Sequence, residues 1–178
     1  ASVDGQHPPR LRLIGEFGLW VDGEVLMPHS VQRVLAFLAL ARAPVGRLRL
    51  SGALWGEASQ ERADGNLRST LWRLGRLRAR IVERTSDCLA IAPGVQVDIW
   101  DLSASADRIL APGSSLHDPT AATHLAWASE ILPGWDDQWL VIERERYRQL
   151  RLHALERSSE RLLDEASRIA IWSARPMP

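Results

Sequence analysis

The spacing of apolar residues changes period several times along the first hundred positions. Arg10-Leu11-Arg12-Leu13-Ile14 alternates polar and apolar residues, and after Gly15 the alternation resumes at Phe17, Leu19 and Val21. A period of two predicts strands with one buried face. Asp22-Gly23 then predicts a tight turn into Glu24-Val25-Leu26, so a small antiparallel sheet is expected. From Ser30, a candidate cap, the period turns helical, with Val34, Leu35, Leu38 and Leu40 inward and Pro44 as the stop after Ala43. A short helix follows over 48–55, anchored by Leu50, Leu54 and Trp55, and then a loop over 56–60. A third helix is predicted from near Glu61, with Leu67, Leu71, Leu74 and either Leu77 or the stem of Arg78 on one face. It leads directly into short strands over 82–85 and 88–91 around Ser86-Asp87, with Val95 and Val97 as a further edge.

The remainder predicts helices alone. One runs over 99–110 and is closed by Pro112-Gly113; a polar loop follows over 114–119. Thr120 or Thr123 starts another helix toward Ile131, which Leu132-Pro133-Gly134 breaks. Asp136-Asp137 suits the start of a long helix over 138–168, since carboxylates are favoured there. Leu140, Tyr147, Leu150, Leu155, Leu162 and Leu163 are expected inward, between mixed-sign exposed faces such as Glu143-Arg144-Glu145-Arg146. Residues 1–9 read as a flexible lead-in and 172–178 as a fraying tail.

Charge divides the chain where the patterning does. The 178 residues carry 22 basic and 22 acidic side chains, but residues 1–92 hold 13 Arg against 9 acids (+4) and 93–178 hold 9 against 13 (−4). The sign changes near Pro93-Gly94, which implies two units with the basic one first. Within 62–84 there are seven Arg (62, 68, 73, 76, 78, 80 and 84) against Asp64 and Glu83, a local excess of 7 − 2 = +5. Every basic residue is arginine, which suits phosphates and guanine edges and excludes lysine-dependent phosphate loops and Schiff bases. The single cysteine, Cys88, excludes an internal disulfide and a cysteine-based zinc site. No apolar run is long enough to span a bilayer, so a soluble, cytoplasmic protein is expected.

A basic helix with one buried face is either a solvated rim or an element shaped for a DNA major groove. Enzyme chemistry finds no motif: His7, His29, His117, His124 and His153 are scattered without ligand spacing, so no catalytic site, metal or cofactor is expected. Trp127, Trp135 and Trp139 are expected to pack within the helical unit, and Asp136-Asp137 to serve as a helix start.

Sheet, three helices with the third basic, and a terminal hairpin resemble the winged-helix domain of bacterial response regulators. Local strings narrow the likeness: Phe37-Leu38-Ala39-Leu40, Leu54-Trp55-Gly56, Asn66-Leu67-Arg68-Ser69-Thr70-Leu71-Trp72-Arg73-Leu74 and Val97-Asp98-Ile99-Trp100. Together with Leu132-Pro133-Gly134-Trp135-Asp136-Asp137-Gln138-Trp139 and Glu143-Arg144-Glu145-Arg146, they resemble the SARP family of antibiotic-pathway activators, over roughly residues 10–170. The resemblance implies an α+β winged helix over 10–97, then an all-α, tetratricopeptide-like activation domain over 98–178. It implies binding of double-stranded DNA at promoter direct repeats by two protomers, with recruitment of RNA polymerase holoenzyme and its sigma factor. Two departures stand out: the chain has room for fewer helices after Arg168 than family activation domains carry, and Gly75 falls where relatives place a bulky or basic residue.

On that reading, residues off the leucine stripe face DNA: Asn66, Arg68, Ser69, Thr70, Arg73 and Arg76. Arg73 and Thr70 are the expected base readers, Asn66 suits adenine or a polar first turn, and Arg68 and Arg76 suit phosphates. Trp72 is either a DNA contact or partly buried packing. Arg84, Thr85 and Ser86 would form the wing, while Ser30, Gln32, Arg33 and Arg47 lie near helix starts that favour phosphate. Trp55, Glu57, Ser59 and Gln60 are candidates for polymerase contact. The rival is a protein-interaction adaptor whose basic helix meets an acidic partner; RNA binding ranks behind both, for want of paired exposed aromatics on strands.

Overall fold

A computed structural model describes residues 7–112 and 119–173; the expectations for 1–6, 114–118 and the tail from 174 lie outside that range. Strands β1 (Arg10–Arg12) and β2 (Gly18–Trp20) pair antiparallel, Leu11 opposite Leu19, as the alternation predicts. Helix α1 (His29–Ala41) buries Val31, Val34, Leu35 and Leu38. It starts one residue before the expected cap, with Pro28 at the boundary, so Ser30 lies in the first turn and caps nothing. It ends at Arg42, whose φ of 55° is left-handed, before Pro44 is reached. A short strand that the patterning does not reveal, β3 (Val45–Gly46), comes next, and α2 (Arg47–Leu54) then buries Leu50 and Leu54 as expected.

Helix α3 (Gln60–Arg73) is shorter than the continuous helix expected to reach Ile81. Gly75 breaks it: its φ of +52° is a conformation that side chains with a Cβ adopt at a cost. A 3-10 turn (Gly75–Leu77) and the single turn α4 (Arg78–Ile81) follow, feeding β4 (Val82–Thr85) and β5 (Cys88–Ile91). The hairpin forms as predicted, Thr85 opposite Cys88, and β3 adds to its other side to give the order β3-β5-β4. Gly75→Ala is therefore expected to lower stability by about 1 kcal/mol. Urea unfolding of the variant checks this, because an uninterrupted helix there would gain stability from alanine.

Strand β6 (Gln96–Val97) runs parallel to β1 and completes the order β2-β1-β6. The chain then enters α5 (Asp98–Leu110), α6 (Pro119–Trp127) and the long α7 (Gln138–Ser173). Helix α6 stops short of Ile131. That residue instead bridges to Ile14 and Gly15, with the Gly15 amide donating to the Glu130 carbonyl (2.8 Å) and the Leu132 amide to Leu13 (3.0 Å). Buried Ile131, Leu132, Leu140 and Tyr147 thereby join the same core as α1, α2, α3 and both sheets. A smaller cluster of Ala106, Ile109, Ala121, Leu125 and Ala154 holds α5, α6 and α7 together. From 159 to 170 no α7 side chain is buried. Leu162 and Leu163 point outward against expectation, because the elements that pack on the helix end near Ser158.

Polar contacts knit the two regions. The Asp98 carboxylate accepts the backbone N–H groups of Leu13 (3.0 Å), Ile14 (2.9 Å) and Ile99 (2.7 Å). The Trp100 indole N–H donates to the Ala39 carbonyl at 2.7 Å, and Arg42 donates to the Ile99 carbonyl at 3.0 Å.

Candidate nucleic-acid interface

Helix α3 packs on α1 and α2 through Ala63, Leu67, Thr70, Leu71 and, just past its end, Leu74. Thr70 is thus buried and cannot be the outward reader expected of it. Its place was legible: it lies three residues after Leu67 and four before Leu74, on their face. Arg62, Asn66, Arg68, Ser69, Trp72 and Arg73 are exposed. Asn66, Ser69 and Arg73 follow one another at helical spacing and form one outward ridge, with Trp72 and Arg68 beside it. Trp72 is 81% exposed, which removes the packing alternative. Arg62, one turn before Asn66, extends the ridge and was not singled out by sequence. Arg76, although exposed, lies in the 3-10 turn beyond the helix and so leaves the α3 face.

The charge of this surface is largely uncompensated. Among the described residues, the only ion pair made by an arginine of the 62–84 window is Arg80 with Asp22. The Arg80 hydrogen bond holds the Asp22 carboxyl below its ordinary value. Asp64 turns away from the arginines, accepting the Ser51 hydroxyl and the Gln60 amide, each at 2.8 Å. The Arg73 guanidinium donates to the Ser30 hydroxyl at 3.3 Å, which links the ridge to the first turn of α1.

Arg84, Thr85 and Ser86 are all exposed at the hairpin tip, where the Arg84 Nε donates to the Ser86 carbonyl at 3.3 Å. The Arg47 amide donates to the Asp87 carbonyl at 3.0 Å, tying the tip to the start of α2. The Arg47 side chain is half-buried, and its Nε has no hydrogen-bond partner among the described residues.

Arg33 departs from the phosphate role considered for it. Its guanidinium binds the Asp137 carboxylate (2.5 Å) and the Leu54 carbonyl (2.8 Å), joining α1 to the end of α2 and the start of α7. Asp137 also accepts the Trp139 indole N–H at 3.0 Å, so it ties tertiary structure together as well as preceding a helix. Gln32 donates to the Met27 carbonyl at 2.8 Å. In the α2–α3 connection Trp55 is half-buried against the core, Glu57 and Ser59 are exposed, and Gln60 is the first residue of α3 rather than part of the loop.

Elsewhere, Trp135 and Trp139 pack against the first unit and not within the helical one as expected: Trp135 lies between Phe17 and His29, with ring centroids at 6.2 and 4.6 Å, and Trp139 lies on Phe37 at 5.1 Å. Trp127 does not pack as expected and is 84% exposed. No cluster of three or more His, Cys, Asp or Glu side chains suited to a metal occurs among the described residues. No described helix is long and apolar enough to cross a membrane.

The chain therefore belongs to the mixed α+β class, with two small sheets and a helical C-terminal region, and a basic helix on its surface. A solved structure with this fold is Mycobacterium tuberculosis EmbR in complex with a low affinity phosphopeptide, at a TM-score of 0.54 and 18% identity. The likeness covers 88% of this chain and 43% of EmbR, so the chain spans less than half of that neighbour's length. No protein-family model matches the chain, and no curated protein matches its sequence.

Proposed function

We propose that the chain is a DNA-binding transcriptional regulator in which α1, α2, α3 and the β3-β5-β4 sheet form a winged helix over 10–97. The observation that carries this reading is the outward face of α3: Arg62, Asn66, Arg68, Ser69 and Arg73 stand exposed, and none of those arginines pairs with a described acid. A helix about 10–12 Å wide fits the major groove, where arginine meets guanine O6 and N7 bidentately. Asn66, Ser69 and Arg73 read bases, Arg62, Arg68 and Arg76 seat phosphates, and the Arg84–Ser86 tip is the wing. Arg47, at the start of α2 below that tip, is a further phosphate contact, whereas Arg33 and Thr70 fall outside the interface.

The fold shared with EmbR supports a regulator, and the SARP resemblance supports the finer reading. On that reading two protomers bind direct repeats, and the 98–178 region and the surface around Trp55, Glu57, Ser59 and Gln60 engage RNA polymerase holoenzyme and its sigma factor. The target is an antibiotic or secondary-metabolite gene cluster.

Selection from a random duplex pool, followed by affinity measurement over a salt series, tests the proposal. A spaced direct repeat should be enriched. Weak, uniform binding to every duplex would instead favour a protein-interaction adaptor. Arg68→Ala should weaken all duplexes alike and reduce the slope of log K against log salt by about one phosphate contact; an unchanged slope would remove Arg68 from the phosphate set.

A further inference from the structure

Trp72 is the largest apolar side chain on the outward side of α3, and neither the arginines nor the fold accounts for its exposure. Its ring is 81% exposed, has no aromatic or cation–π partner, and its indole N–H makes no hydrogen bond among the described residues. Leaving an indole in water on a stable helix forfeits a large burial energy, which a partner surface would recover. Helical side chains lean toward the N-terminus, so the ring covers the turn holding Arg68 and Ser69 rather than projecting past the helix end. Ser69 is small, and a Cβ added at Gly65, one turn further, would meet only the Arg68 guanidinium, at 4.0 Å, so the surface in front of the ring is shallow.

We propose that Trp72 is a specificity-determining residue that reads thymine through its 5-methyl group. The inference rests on the DNA-binding reading above and deepens it. The major groove displays one apolar feature, the thymine methyl, among donors and acceptors that Asn66, Ser69 and Arg73 are equipped to meet. An indole carries no charge and a single donor, so phosphate seating falls to the arginines and not to it. A methyl removed from water against an aromatic ring contributes about fourfold in affinity.

The test uses the full chain and the duplex enriched from the random pool, with each thymine replaced in turn by deoxyuracil, which lacks only the methyl. Wild type should lose about fourfold at one or two positions in each repeat. Trp72→Ala should bind more weakly and become indifferent to those replacements, while Trp72→Phe keeps part of the sensitivity. Thermal unfolding of the variants should match wild type closely, because the side chain is 81% exposed and lies outside the core. Binding of the duplex with no deoxyuracil effect, or an effect that persists in Trp72→Ala, would overturn the thymine role and leave the DNA-binding reading standing. Absence of any preferred duplex would remove both.

Discussion

Arg73→Ala should erase the chain's preference among duplexes and weaken its best site by about 1–3 kcal/mol, while leaving weak, salt-dependent binding to any duplex. The side chain stands at the C-terminal end of the exposed ridge, four residues beyond Ser69, with no ion pair to an acid among the described residues. The Ser30 hydroxyl at 3.3 Å holds the guanidinium forward of α1, limiting the rotamers it must give up on docking. Loss of a bidentate base contact differs in kind from loss of a phosphate contact, because it changes which sequence wins. Comparing the enriched sequences of wild type and variant reads this directly, and identical enrichment would remove Arg73 from the base readers.

Asp98→Ala should cost about 1–3 kcal/mol of stability at neutral pH, since it leaves the amides of Leu13, Ile14 and Ile99 without their acceptor. Leu13 and Ile14 directly follow β1 and Ile99 lies in α5, so the carboxylate fixes the end of that strand against the start of α5. Burial holds the Asp98 carboxyl above the ordinary aspartate value, outweighing the amide donors and the Arg12 charge, which lower it. The folded state therefore binds this proton more tightly than the unfolded state. The stability that Asp98 contributes through the proton is full below the ordinary aspartate pKa, and falls as pH rises from there through the folded value. As pH rises from the ordinary aspartate value of about 4, the advantage of wild type over Asp98→Asn in urea unfolding should fall. A wild-type advantage that grows with pH over this window would contradict the assigned direction.

Much of the fold could be read from spacing. The alternation at 10–14 and 17–21, the leucine stripes of α1 and α3, and the Ser86-Asp87 hairpin all carry strong local periodicity, and all appear in the structure. Failures fall where tertiary contacts decide. Gly75 reads as a tolerated glycine inside a helix, until its left-handed φ shows it to be the break. Ile131 continues a helical pattern, yet pairing with Ile14 and Gly15 draws it out. Val45–Gly46 is too short to show a period, and becomes a strand only because β5 offers it an edge.

The candidate site divides in the same way. Sequence identified Asn66, Arg68, Ser69 and Arg73 by their distance from the stripe, and the structure exposes them. Thr70 lies three residues before Arg73, but its spacing from Leu67 and Leu74 sets it on the buried face. Arg33 was legible only as a cation near a helix start; its partners Asp137 and Leu54 are 104 and 21 residues away in sequence. Trp72 could be resolved only by its exposure, because tryptophan is mostly buried on average.

In the proposed complex α3 enters the major groove with Arg73 on a guanine. Replacing each guanine of the enriched duplex by 7-deazaguanine removes only the N7 acceptor that faces that groove. One replacement per repeat should weaken wild type by about tenfold and leave Arg73→Ala unaffected. Full wild-type affinity for every 7-deazaguanine duplex would contradict it.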